Sequence, residues 1–184
     1  PETNTIQIEE RDVNELLNHL GLDRVAVHGN SRGGLIAMLL AATAKDRLTG
    51  VCLNDIGPEI APTGMAVIRD YVGVAPTSKT YAEAEAQIAN GLALRYEPDL
   101  RVPVLAYVEA EAPDLWPFFD ALAGLPLALI RGKNSNILSA DTTAEMRARR
   151  PDMIVAQVPD RGHVPFLDEP QALAAIAEWT ASLP

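Results

Sequence analysis

The stretch VAVHGNSRGGLIAML, residues 25–39, constrains the fold more than any other part of the sequence. An apolar run of strand length leads into three glycines and a serine, and a helical apolar pattern follows without a linker. A second apolar run, GVCLND at 50–55, completes strand, helix and strand within about thirty residues. Such a unit predicts a parallel sheet with helices packed on its faces, which is an α/β fold.

The same alternation returns in the last third of the chain. Apolar runs that predict strands are LPLALIRG (125–132) and DMIVAQVP (152–159); helices are predicted over 139–150, with Ser139 as N-cap, and from Pro170 onwards. Near the start of the chain, apolar spacing predicts a helix over 8–20, and RVAVHG (24–29) is interpreted as a short buried strand.

Residues 56–124 differ from the rest of the chain. They hold half of the 14 prolines and several helical patterns, including DLWPFFDALAG at 114–124, and no convincing strand. We therefore expect a core made of residues 1–55 and 125–184, with 56–124 as a helical insertion.

Composition excludes several classes of partner. The formal net charge is −10, with acidic and basic residues intermixed, and neutralising the phosphates of nucleic acid or anionic lipid requires a basic face. The longest apolar stretch, 33–44, is too short to cross a bilayer, and no segment resembles a signal peptide. A single cysteine, Cys52, is typical of a reducing compartment. We expect a cytoplasmic protein that binds neither nucleic acid nor membrane.

Ser31 lies at the tightest point of the strand–turn–helix and matches the pattern G-x-S-x-G. This turn strains the serine backbone, exposes Oγ at the carboxyl end of the sheet, and places the Arg32 backbone N–H where an oxyanion could form. The alternatives are a phosphate-binding glycine loop or a plain turn, although the spacing is not G-x-G-x-x-G. The context favours a nucleophile.

A serine nucleophile needs a base, and the chain offers three histidines. His19 falls in the first helix and His28 inside a strand. His163 stands in the loop DRGHVPF, after the last predicted strand, where the carboxyl edge of the sheet would bring it towards Ser31. We therefore predict His163 as the general base.

Together, GNSRGG, LNDIGPEI, DLWPFFDALAGLPLALIRG and PDRGHVPFLDEP resemble the α/β-hydrolase superfamily, from Val25 to the end of the chain. The resemblance implies a helical cap over the site and bond cleavage without a metal or cofactor. It also implies a small-molecule substrate, and a serine hydrolase of a small carboxylic ester or lactone is expected. Alternatives are a catalytically impaired ligand-binding protein or a cofactor-free haloperoxidase-like enzyme.

The acid partner of the histidine has two candidates. The family's acid lies in the loop here written RGKNSNILS, where similar sequences carry an aspartate at the position of Asn136. An amide cannot stabilise the imidazolium as a carboxylate does. Asp55, at the end of the strand that follows the nucleophile strand, is the alternative, because some family members place the acid there. Asp55 could equally be a turn or cap residue.

Two further expectations concern the pocket and the sheet. Trp116 and Phe118 could line an apolar substrate pocket or simply pack on the core, and the Arg32 side chain could face substrate or form a salt bridge. The resemblance also implies strands that precede the nucleophile strand, so we expect them to lie before residue 1 or on another chain. The sequence leaves open whether the protein is a homo-oligomer.

Overall fold

The computed structural model describes residues 5–71, 80 and 113–184. Elements alternate between strand and helix in the two parts predicted as the core. In chain order they are α1 (Ile6–His19), β1 (Val25–Asn30), α2 (Arg32–Thr43), β2 (Leu48–Asn54), α3 (Pro62–Tyr71), α4 (Trp116–Asp120), β3 (Leu127–Gly132), α5 (Ala140–Arg149), β4 (Ile154–Val158) and α6 (Pro170–Ala181). A short 3₁₀ turn, Lys45–Arg47, leads into β2.

The four strands form one parallel sheet in the order β1-β2-β3-β4. Gly29 is paired with Leu53 between β1 and β2, and Leu53 is paired in turn with Leu129 of β3. Because all strands run the same way, the loops that follow them gather at one edge of the sheet. That edge is where Ser31, Asp55 and the loop after β4 are found.

Sequence patterns predicted the strands and the helices of the core to within a few residues. Ser139 caps α5 as expected, its Oγ accepting from the Thr142 N–H at 2.9 Å, and Pro170 is the first residue of α6. The helix expected over 114–124 is shorter, at five residues. Of the predicted insertion, the structure describes α3 and α4; the remainder of 56–124, apart from residue 80, lies outside the described residues.

β1 is less buried in the sheet that the described residues form than the sequence predicts. Ala26 and His28 are exposed and Val25 and Val27 are half-buried, whereas every residue of β3 is buried. The reason is position, because β1 is the edge of the sheet that the described residues form, with β2 on its one paired side. An apolar run cannot by itself distinguish a central strand from an edge strand.

Apolar side chains cover both faces of the sheet. On one face α2 and α4 pack over β2 and β3, with Met38, Leu40 and Phe119 almost fully buried. On the other face α6 packs over β3 and β4 through Ala172, Ala175 and Trp179. These two layers hold the strand ends, and hence the loops that follow them, in fixed relation. Within the described part of the chain, no helix has the length and apolarity that a bilayer span requires.

Candidate active site

Ser31 occupies a one-residue turn between β1 and α2. Its backbone has φ 48° and ψ −120°, a conformation that non-glycine residues rarely adopt and that costs about 1–3 kcal/mol. The Ser31 N–H donates to the Asn54 carbonyl at 3.0 Å, so the end of β2 holds the turn in place. The strain is therefore maintained by the sheet, and it presents the hydroxyl at the edge where the loops meet.

Two of the three glycines around Ser31 are required by close packing. A Cβ on Gly29 would lie 2.6 Å from the backbone of Gly34, and one on Gly34 would lie 2.2 Å from Cγ2 of Ile56. A Cβ on Gly33 would meet no described atom within 4 Å. The motif's glycines thus differ in purpose, since two of them let strand and helix approach and Gly33 does not.

His163 lies on the loop between β4 and α6 and reaches Ser31 across the edge of the sheet. Its Nε2 is 2.7 Å from Ser31 Oγ, and its Nδ1 is 2.8 Å from Oδ2 of Asp55. A carboxylate only accepts hydrogen bonds, so Nδ1 carries the proton of the neutral ring and Nε2 is left to accept from the serine hydroxyl. This tautomer suits a general base.

Asp55 follows β2 directly and is fully buried. Its backbone has φ 56°, and its N–H donates to the Ile130 carbonyl at 2.8 Å, which anchors it beside β3. Oδ1 accepts from the Gly132 N–H at 2.8 Å, and Oδ2 accepts from the Ser135 hydroxyl at 2.6 Å as well as from His163. Its buried charge is thus compensated by three donors.

Asn136, the other candidate for this position, is not brought to the imidazole. It is exposed, and the carboxylate of Asp55 stands beside Nδ1 instead. The physical reason is the path of the loop after β3. Its inward-facing residue is Ser135, whose Oγ accepts from the N–H groups of Ile137 and Leu138 at 3.2 and 3.0 Å.

A buried carboxylate stabilises the loop that carries His163. Glu169, the N-cap of α6, accepts from the N–H groups of Phe166 and Leu167 at 3.1 and 2.9 Å and from the Arg161 guanidinium. Burial alone raises the pKa of the Glu169 carboxyl, but the Arg161 hydrogen bond and the backbone donors together hold this pKa below its usual range. The loop is therefore tied together on both sides of His163.

A second contact that holds the loop carrying His163 comes from the end of β2. The Asn54 side chain is almost fully buried, and its Nδ2 donates to the Pro165 carbonyl at 3.1 Å and to Oδ1 of Asn30 at 2.7 Å. Pro165 lies two residues after His163. The last residue of β2, directly before Asp55, thus also holds the loop that carries His163.

The side chain of Arg32 forms a salt bridge. Its Nε and Nη2 both lie 2.8 Å from carboxylate oxygens of Glu9 on α1. This agrees with the second of the two expectations for Arg32 and fixes the first turn of α2 against α1. The backbone N–H of Arg32 begins α2 immediately after Ser31, and its predicted role towards an oxyanion stays a prediction.

Trp116 and Phe118 lie on α4 against the core. The Trp116 indole N–H donates to Glu59 Oε1 at 2.9 Å, and the Arg149 guanidinium stacks on its ring at 4.1 Å. Phe118 is half-buried and packs on the main apolar cluster. Trp116 borders a surface cavity whose lining contains none of Ser31, His163 or Asp55; the residues are Glu59, Trp116, Asp141, Thr142, Glu145 and Arg149. A role for either aromatic residue in substrate binding stays a prediction.

The described residues offer neither an alternative nucleophile in Cys52 nor a metal centre. Burial raises the pKa of the Cys52 thiol to about 12, which keeps it protonated at neutral pH inside β2. In residues 5–71, 80 and 113–184, no group of three or more His, Cys, Asp or Glu side chains is arranged to hold a metal ion.

Sequence reasoning missed the groups that support the histidine and its carboxylate partner. These are Ser135, the Gly132 N–H, Asn54 and Glu169. The one signal that could have found them is position, because each lies at or beside the carboxyl end of a strand or at the end of the histidine loop. The donor–acceptor pairing itself depends on loop backbone paths that no sequence pattern specifies.

Comparison with known proteins places this chain in a family. A model described as "Alpha/beta hydrolase family" matches residues 1–176. A 3-hydroxybutyrate-oligomer hydrolase from Cupriavidus necator is 32% identical, over 91% of this chain and 69% of that protein. The crystal structure of an alpha/beta hydrolase from Novosphingobium aromaticivorans has a TM-score of 0.86 and 35% identity, covering 98% of this chain and 73% of its own.

More distant structures share the fold. A thermophilic esterase from Thermogutta terrifontis superposes with a TM-score of 0.71 at 23% identity, over 96% of this chain and 72% of that one. The parallel sheet with flanking helices is the arrangement these proteins have in common. The chain is an enzyme of the hydrolase class. On the match to its family model and the close relatives, it belongs to the alpha/beta hydrolase family.

Proposed function

We propose that this chain hydrolyses a small carboxylic ester through a covalent acyl-enzyme. Ser31 is the nucleophile, His163 the general base and Asp55 the acid that orients it. The observation that carries the proposal is the continuous hydrogen-bonded chain from Ser31 Oγ through both ring nitrogens of His163 to Asp55 Oδ2, at 2.7 and 2.8 Å. The strained φ of Ser31 supports the same assignment, because such strain is concentrated at functional residues.

In the first half-reaction, Ser31 Oγ attacks the ester carbonyl carbon while Nε2 of His163 accepts the hydroxyl proton. The carbonyl oxygen becomes an oxyanion, towards which the Arg32 backbone N–H at the start of α2 donates. When the carbonyl re-forms, the C–O bond to the alcohol breaks, and the imidazolium returns the proton to the departing alkoxide. Ser31 is then acylated.

In the second half-reaction, His163 removes a proton from water, and the resulting hydroxide attacks the acyl carbon. The collapse of the second oxyanion breaks the bond to Ser31 Oγ, which regains its proton from the imidazolium. Asp55 accepts the Nδ1 hydrogen bond in both half-reactions and stabilises the positive ring. Asp55 suits this role because its carboxylate is fully buried and hydrogen-bonded by two further groups.

For the substrate, oligoesters of a 3-hydroxy acid are the first class we propose. The relative from Cupriavidus necator is named for 3-hydroxybutyrate oligomers, whose units are joined by carboxylic ester bonds of the kind the mechanism cleaves. A lactone is the cyclic form of the same linkage, and the proposed attack on its carbonyl is identical.

The test is hydrolysis of short p-nitrophenyl esters and of 3-hydroxybutyrate dimer and trimer by purified protein. Ser31→Ala and His163→Ala should abolish turnover of both substrate types above background. His19→Ala is the matched control, because this histidine is exposed at the end of α1 and should leave turnover unchanged. Turnover by Ser31→Ala at the wild-type rate would refute the mechanism, and folded wild-type protein without esterase activity would favour the ligand-binding alternative.

A further inference from the structure

We propose that Ser135 is a positioning residue for the Asp55 carboxylate and, through it, for His163. The loop after β3, where the family resemblance placed the acid, instead supplies a hydroxyl donor to an acid that belongs to β2. This inference rests on the proposed function, because it assumes that Asp55 orients the catalytic base. It adds a residue that contacts neither Ser31 nor the Nε2 that faces it.

The direction of the Ser135 hydroxyl is determined by its neighbours. Its oxygen accepts from the backbone N–H groups of Ile137 and Leu138, at 3.2 and 3.0 Å, so both lone pairs are engaged. Its proton is left for Asp55 Oδ2, 2.6 Å away, a distance typical of an O–H bond to an ionised carboxylate. Ser135 is therefore a donor to Asp55.

The Ser135 hydroxyl donates to the same carboxylate oxygen of Asp55 as the imidazole does. Oδ2 of Asp55 receives both the Ser135 hydroxyl and the Nδ1–H of His163, while Oδ1 receives the Gly132 N–H. With Ser135 in place, each carboxylate oxygen has a donor other than the imidazole, so the carboxylate is held in its orientation independently of His163. Without it, one backbone donor and the imidazole remain, and the imidazole itself becomes less well oriented.

The serine is in turn supported by the loop and by the histidine segment. The Ser135 N–H donates to the Gly132 carbonyl at 3.0 Å, and the Asn134 N–H donates to the Arg161 carbonyl at 2.8 Å. The residue directly before the donor to Asp55 is thus hydrogen-bonded to the loop that carries His163. These bonds hold the Asp55 carboxylate and the His163 imidazole in a fixed relative position.

The test compares Ser135→Ala, Ser135→Cys and Ser135→Thr with the control Ser139→Ala. Ser139 is on the same loop, but its Oγ caps α5 by accepting from the Thr142 N–H at 2.9 Å. Loss of the hydroxyl donor in the Ala and Cys variants should lower kcat by about tenfold, the order expected for one hydrogen bond to a charged group. KM should change less than about twofold, because the bond acts on the base and not on substrate binding.

The Thr variant keeps the hydroxyl and should recover most of the wild-type kcat. Ser139→Ala should lower Tm through loss of the helix cap while kcat stays at the wild-type value. If Ser135→Ala does not fold, the Cys and Thr pair carries the same comparison in chains that retain a side chain of similar size. Each kcat is measured at a temperature at which circular dichroism shows the variant fully folded.

The inference is overturned if Ser135→Ala or Ser135→Cys keeps the wild-type kcat, if the loss is in KM alone, or if Ser135→Thr is as impaired as Ser135→Ala. It is equally overturned if Ser139→Ala loses as much kcat as Ser135→Ala, because a general loosening of the loop would then explain both. Failure of the proposed function is recognised separately, since Ser31→Ala would then hydrolyse esters as fast as the wild type.

Discussion

Replacing Asp55 by Asn changes the hydrogen-bonding capacity of the candidate site with almost no change in shape. The carboxylate accepts at Oδ1 from the Gly132 N–H and at Oδ2 from Ser135 and His163. An amide has one accepting oxygen and one NH₂ group. In either orientation, its NH₂ group therefore faces at least one N–H that also needs an acceptor.

The size of the loss in kcat depends on which N–H group the NH₂ group faces. The Gly132 N–H can only donate, whereas the imidazole can move its proton to the other nitrogen, so the NH₂ group should face His163. The ring is then driven to the tautomer with its proton on Nε2, which cannot accept from Ser31, and kcat should fall by ~10⁴. Because Asp55 is fully buried, the unsatisfied donors should also cost about 1–3 kcal/mol of unfolding free energy.

The assay is p-nitrophenyl acetate hydrolysis with Tm measured in parallel, and Asn136→Ala serves as the control. Asn136 is exposed and on the loop where the family resemblance placed the acid, so its variant should stay within about twofold of the wild type in kcat. Asp55 does not orient His163 if Asp55→Asn keeps more than a tenth of the wild-type kcat, or if Asn136→Ala loses as much kcat as Asp55→Asn.

Two further predictions concern the turn around Ser31 and the loop that carries His163. Gly34→Ala should lower the free energy of unfolding by about 1–3 kcal/mol, because its methyl group would collide with Ile56. Gly33→Ala should be neutral or stabilising, because its methyl group would meet no described atom. Urea unfolding measures both variants, and the opposite order of stability would contradict the packing described for the two glycines. The folded pKa of Glu169 lies below its unfolded value, so its stabilisation is full above about pH 4.5 and is lost as pH falls through the folded value. Wild type should therefore exceed Glu169→Gln in Tm at pH 7, and the difference in Tm should narrow as the pH falls below about 4.5; a difference that is independent of pH is the opposing result.

The fold and half of the candidate site could be predicted from local sequence. Apolar periodicity locates the strands, and parallel strands bring Ser31 and the loop of His163 to one edge whatever the details of packing. The choice between Asp55 and Asn136 could not be predicted. Both follow strands that end at that edge, and the choice depends on the path of the β3–α5 loop, which turns Ser135 inward and leaves Asn136 in solvent.

The burial of strand residues and the space around each glycine were harder to predict for a related reason. The apolar sequence of β1 resembles that of β2, yet the alanine and histidine of β1 at positions 26 and 28 are exposed, because exposure depends on which strands are neighbours. The glycines around Ser31 look equivalent in sequence, but a Cβ at 29 or 34 would collide and one at 33 would not. Such differences arise from contacts between elements, which a single sequence does not display.

If His163 and Asp55 make Ser31 a nucleophile, active-site labelling should detect the reactive serine. Purified protein is treated with a fluorophosphonate and analysed by intact-mass and peptide mass spectrometry. We predict one adduct per chain, on the peptide that contains Ser31, absent from Ser31→Ala and strongly slowed in His163→Ala. Labelling that persists in Ser31→Ala, or wild-type protein that is folded and stays unlabelled, would contradict the account.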